Sequence, residues 1–100
     1  MPRQFLTVAC TLELEEKLLD ALGGPAAGAA FSSVATFARR SDSEPLSSAE
    51  QVLGRSRAVE LHAALDEEQV AAVLAALRQQ FSGKGVRYRT TPIIEEGVIE

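Results

Sequence analysis

The sequence predicts an α+β fold, a four-stranded antiparallel sheet with two helices on one face, arranged as a ferredoxin-like βαββαβ sandwich. Three observations lead there. Two segments repeat apolar residues with a helical period, four others alternate with a period of two or are rich in β-formers, and their order is β-α-β-β-α-β. Right-handed crossovers around a central hairpin leave few other arrangements of that order. The 100 residues suit one domain spanning the whole chain, long enough to bury a core without metal or disulfide staples.

The first strand is expected over residues 4–12, QFLTVACTL, which are rich in β-formers. Next, Leu14, Leu18, Leu19 and Leu22 fall on one side of a helix, with Thr11 or a neighbour as cap and Glu13, Glu15 and Glu16 suiting its positive N-terminal dipole. Gly23, Gly24 and Pro25 stop it. In FSSVATFAR, Phe31, Ser33, Ala35 and Phe37 alternate with Ser32, Val34 and Thr36, which predicts the second strand. Residues 39–56 have the serine, proline and mixed charges of an exposed loop, within which SSAEQVLG can form a short helical turn capped by Ser47 or Ser48.

The third strand follows from Val59, Leu61, Ala63 and Leu65 alternating with Ala58, Glu60, His62 and Ala64. Asp66 followed by Gln69 makes a capping-box pattern, and Val70, Val73, Leu74, Leu77 and Phe81 trace the buried stripe of the second helix. Ser82 and Gly83 end it. The last strand is read from GVRYRTTPII, where Val86, Tyr88 and Thr90 alternate with Arg87, Arg89 and Thr91, and Pro92 points to an edge or the end of pairing.

Two helices cover only one side of such a sheet. If Leu6, Val8, Cys10 and Leu12 face them, then Phe5, Thr7 and Ala9 face outward. Phe5 together with Phe31 or Phe37 would make a large apolar patch for a monomer, so a homo-oligomer is expected to bury it.

The net charge of −4 argues against general nucleic-acid binding, which rests on Lys and Arg neutralising phosphates. With one cysteine, Cys10, and one histidine, His62, a single chain can build neither a disulfide nor a Cys/His zinc cage. A reducing cytoplasm is the natural compartment, and the N-terminal residues, lacking a long apolar run, predict neither a signal peptide nor membrane insertion. No catalytic signature is present, so a binding or regulatory module is expected rather than an enzyme. Cys10 reads as a packed small hydrophobe. His62, beside Glu60 on the polar side of its strand, is either a structural histidine or a metal ligand completed by symmetry copies. Gly83, Lys84 and Gly85 form either a plain helix-to-strand turn or a short anion-holding loop. Arg39, Arg40, Arg55 and Arg57 bracket the long loop and either pin an anionic ligand or an acidic partner, or form a solvated loop base.

Four segments together resemble a known family: LTVACTLELEEKLLDAL, LSSAEQVLGRSRAVELHAAL, EEQVAAVLAALRQQFSGKGVRY and PIIEEGVI. The family is the small proteobacterial domain family of unknown function grouped with P-II-like signalling proteins and often encoded beside heavy-metal efflux pumps. Ser48-Ala49-Glu50-Gln51-Val52-Leu53-Gly54-Arg55 is the most specific piece. The resemblance implies a homotrimer whose segment of about 38–57 acts like the P-II T-loop, with Glu50, Gln51, Leu53 and Gly54 at the partner-touching surface. It implies an adenine nucleotide or a divalent metal as effector, in clefts between subunits, and a membrane transporter or efflux pump as partner. Gly83, Lys84 and Gly85 occupy, in shorter form, the place of the P-II loop that holds phosphates. Two other classes compete: a dimeric α+β barrel enzyme with His62 as acid or base, and a constitutive oligomerisation module.

Overall fold

A computed structural model describes residues 2–38 and 56–100. Its elements are β1 (Arg3–Thr11), a single 3-10 turn (Leu12–Leu14), α1 (Glu15–Leu22), β2 (Ser32–Ala38), β3 (Ser56–Asp66), α2 (Glu67–Phe81) and β4 (Arg87–Pro92). The four strands form one sheet in the order β2-β3-β1-β4, every neighbouring pair antiparallel. This is the expected sandwich, with β3 and β1 central because their alternation supplies a complete apolar face.

That face is the core. Leu6, Val8 and Cys10 of β1 and Val59, Leu61, Ala63 and Leu65 of β3 pack under Leu18 and Leu22 of α1 and Val70, Val73, Leu77 and Phe81 of α2. Register places Val8 opposite Leu61 and Cys10 opposite Val59, so both strands present their apolar residues to the helices in step. The Asp66–Gln69 capping box forms, with the Asp66 amide donating to Gln69 Oε1 at 3.1 Å.

Four expectations are corrected. Leu12 does not continue the inward row of β1; it lies in the 3-10 turn and is 44% exposed. Thr11 makes no side-chain cap, and α1 starts only at Glu15, with Glu15 and Glu16 left to complement its dipole. Leu19 points away from the buried pair Leu18 and Leu22. Neither Phe31 nor Phe37 lies on the open sheet face. Phe31 packs against the core, and Phe37 stands opposite Arg57 in the same parity as Ala35 opposite Val59, the helix-facing side. The apolar residue that β2 gives to the open face is Val34, opposite Glu60. The expected helical turn in SSAEQVLG and its caps, Ser47 and Ser48, lie outside the described residues.

Candidate functional site

Two regions gather the chemistry. The first is the turn between α2 and β4. The C-terminal turn of α2 brings Arg78 over β4, where its Nη2 donates to the Tyr88 hydroxyl at 3.2 Å and its guanidinium carbon lies 5.8 Å from the ring centroid. Ser82 Oγ donates to the Arg78 carbonyl, and the Lys84 amide donates to the Phe81 carbonyl at 3.1 Å. Gly83 and Gly85 both adopt left-handed backbone, φ 77° and 76°. Arg78, Ser82, Gly83, Gly85 and Tyr88 edge a hollow of about 200 Å³ floored by Leu74, Leu77, Phe81 and Val86. Because the Lys84 amide is already bonded, the charge the hollow offers an anion is the Arg78 guanidinium, beside an aromatic ring and an apolar floor, while Lys84 stands on the turn next to it. Such a mixture suits a ligand with both a flat ring and a negative group.

The second region is the open sheet face. Register sets Ser32, His62, Thr7 and Arg89 in one row across the sheet, and Val34, Glu60, Ala9 and Arg87 in the next. His62 Nε2 lies 3.1 Å from Glu60 Oε1, and the imidazole centroid is 5.4 Å from that of Phe5. Phe5 is 38% and Val34 46% exposed, so the face keeps apolar surface in water, though not the aromatic pair expected. Among the described residues no group of three His, Cys, Asp or Glu side chains converges to hold a metal. His62 and Glu60 alone supply two ligands.

The remaining predicted residues fall as follows. Gly83, Lys84 and Gly85 are together at the first region and His62 is at the second. Arg57 is the second residue of β3, opposite Phe37 and far along the chain from the turn. Arg39, Arg40, Glu50, Gln51, Leu53, Gly54 and Arg55 lie outside the described residues. Cys10 is buried, and its thiol pKa is pushed up by burial and secondarily by the charge of Glu15, as a packed side chain requires. Sequence reasoning missed Arg78 and Tyr88, which meet across ten positions. The signal available was a cation in the last turn of a helix followed, after a short glycine turn, by the only tyrosine of the chain. No helix among the described residues is long and apolar enough to cross a membrane.

Residues 2–100 match the family described as a protein of unknown function, DUF3240, and the chain belongs to that family. A search of curated proteins finds no match. Among solved structures, CPII of Thiomonas intermedia K12, described as a nitrogen regulatory P-II-like protein bound to ADP, AMP and bicarbonate, is similar with a TM-score of 0.73 and 16% identity. That alignment covers 98% of both chains. A DUF3240 family protein of Shewanella baltica OS155 is similar with a TM-score of 0.67 and 19% identity, over 98% of this chain and 97% of that one. A protein of Thermus thermophilus assigned to P-II-like signalling gives 0.65 and 20% over 93% and 88%. At these identities what is shared is the P-II-like fold.

Proposed function

We propose that this member of the DUF3240 family is a regulatory protein rather than an enzyme. It assembles as a homotrimer across its open sheet face, takes an adenine nucleotide at the α2–β4 turn, and signals through the segment of about 38–57 to a membrane transporter partner. The observation that carries the reading is the α2–β4 turn itself. It sets Arg78 beside Tyr88 and an apolar floor, with Lys84 carried on the turn between two left-handed glycines, in a chain whose fold is shared with a protein bound to ADP and AMP. A nucleotide presents that combination of ring and phosphate. The trimer is supported by the apolar surface left on the open face, and the link to heavy-metal efflux by the family resemblance alone. A divalent metal acting as effector would have to draw further ligands from a neighbouring copy beside His62 and Glu60.

For a ligand to switch the partner-facing segment, its affinity must differ between two states of that segment. Binding to the native form must also raise the melting temperature by mass action. The test is thermal unfolding of the purified protein with ADP, AMP and, separately, divalent metals, alongside its mass by light scattering. A nucleotide-dependent rise, abolished in Lys84→Ala, is expected on an oligomer of three chains. No rise at millimolar nucleotide would refute the effector, and a mass other than three chains would refute the assembly.

A further inference from the structure

The contact between Arg78 and Tyr88 joins a fixed partner to a movable one. Tyr88 stands in β4 opposite Val8, its backbone held in the β1–β4 ladder, and its side of the contact is half exposed. Arg78 lies in the last turn of α2, exposed, with its guanidinium carried out from the helix on a long side chain. Exposed side chains of this kind rotate freely and fast, so the cation can leave the ring without any movement of backbone. Both residues line the hollow beside the α2–β4 turn, and the guanidinium therefore sits at its rim.

The partner that Arg78 has there does not match its charge. The chain holds 14 Asp and Glu against 10 Lys and Arg, yet among the described residues no carboxylate lies within ion-pair distance of Arg78. Its Nη2 donates to a neutral phenol oxygen at 3.2 Å, and the guanidinium carbon is 5.8 Å from the ring centroid. A phosphate or carboxylate accepts two N–H groups of a guanidinium at once and brings the opposite charge, whereas the phenol accepts one and brings none. An anion arriving at the rim outcompetes Tyr88 for Arg78.

We infer that Arg78 is a displaceable cover of the hollow, resting on Tyr88 while the hollow is empty. When a ligand with a flat ring and a negative group enters, its ring takes the face of Tyr88 above the apolar floor and Arg78 turns to the negative group. The inference rests on the α2–β4 turn being the effector site and adds how that site selects its ligand. A ring alone must lift Arg78 from Tyr88 with no anion to receive it. An anion alone draws Arg78 away and leaves the aromatic and apolar surface in water. A nucleoside phosphate satisfies the cation and the ring together, so the site favours it over the bare nucleoside.

The test is titration of the unaltered protein and of Arg78→Met with ADP and with adenosine. Affinities are read by calorimetry, and the ring of Tyr88, the only tyrosine, by NMR of protein labelled at its tyrosine ring. Methionine keeps an unbranched side chain at an exposed helix position, and urea unfolding without ligand verifies that the variant folds. ADP is expected to shift the Tyr88 ring signals and to bind Arg78→Met at least about tenfold more weakly, the loss of one charged pair. Adenosine is expected to bind the variant as tightly as the unaltered protein or more tightly, since nothing has to be lifted. ADP binding that leaves the Tyr88 signals in place overturns the inference and leaves an effector site outside the hollow standing. Equal weakening of ADP and adenosine in Arg78→Met also overturns it, because Arg78 is then a fixed contact to the ring. Absence of ADP binding at millimolar concentration removes the inference and the effector reading together.

Discussion

Replacing Gly83 by alanine isolates the backbone of the candidate effector turn from its side chains. Gly83 has φ 77°, and a Cβ built on it meets no atom within 4 Å. No clash contributes, so the whole penalty is conformational. Holding an L-residue in left-handed backbone costs about 1–2 kcal/mol. Removing glycine from the unfolded chain offsets about 0.4–1 kcal/mol of that. The expected net destabilisation is about 1 kcal/mol, or a fall in melting temperature of about 4–8 °C for a domain of this size. Gly24 is the control. Its Cβ position is equally open but its φ is not positive, so Gly24→Ala should be neutral or slightly stabilising.

The assay is thermal and urea unfolding of both variants at one fixed protein concentration, since an oligomer's apparent stability depends on it. Gly83→Asn should recover part of the loss, because asparagine tolerates the left-handed region better than alanine. Introducing D-alanine at 83 by semisynthesis should stabilise, the mirror-image residue being at ease where the L-form is strained. Equal effects of Gly83→Ala and Gly24→Ala, or destabilisation by D-alanine, would refute the reasoning from the backbone.

Three further outcomes are expected. Leu61→Ala, at a core position 1% exposed, should cost about 2–5 kcal/mol by denaturant unfolding; a loss under about 1 kcal/mol would mean that the sheet–helix layer is not close-packed there. Asp66→Ala removes the capping box of α2 and should cost about 1 kcal/mol, while Asp66→Asn, which keeps an acceptor, should lose much less. The Cys10 thiol has its pKa raised, first by burial and then by Glu15. The folded state therefore holds the thiol proton more tightly than the unfolded one. That contribution is complete below the ordinary thiol value of 9.0 and falls away as pH rises through that value toward the folded one. Denaturant titrations from pH 8 upward should show stability declining, a decline reduced in Cys10→Ala, and thiol reagents should label Cys10 only on unfolding.

Most of the architecture was legible because β1, β3 and α2 each carry one unambiguous period. Val59, Leu61, Ala63 and Leu65 can face a core in only one way, and Asp66 with Gln69 marks the start of α2 to the residue. The misreadings have particular causes. In TLELEEKLL the spacing of Leu14 and Leu18 fits a helix capped near Thr11, but no side chain caps it there and the chain takes a 3-10 turn first. The parity of β2 was ambiguous because both of its faces are small: Ser33 and Ala35 against Val34 and Thr36. Only pairing with β3, Ala35 beside Val59, decides that Phe37 shares the helix-facing side. Of the candidate site, the Glu60–His62 pair follows directly from a period of two. The Arg78–Tyr88 contact does not, because it depends on the path taken by a turn with two left-handed glycines.

The composition of the open face also bears on which surface can cover it. Phe5 and Val34 supply apolar area, but Glu60, His62, Arg87 and Arg89 lie in the same two rows. Burying Arg87 and Arg89 against a purely apolar surface would leave two desolvated cations without counter-charges, a heavy penalty. A second copy brings its own Glu60 and an identical mixture of apolar and charged positions, with the cations on β4 and the carboxylate on β3, two strands apart. Contact between the β4 side of one copy and the β3 side of the next joins opposite charges, whereas superposing like sides sets Arg87 and Arg89 against themselves. Offset contact of that kind uses two different patches per copy. The charge pattern therefore favours a head-to-tail geometry.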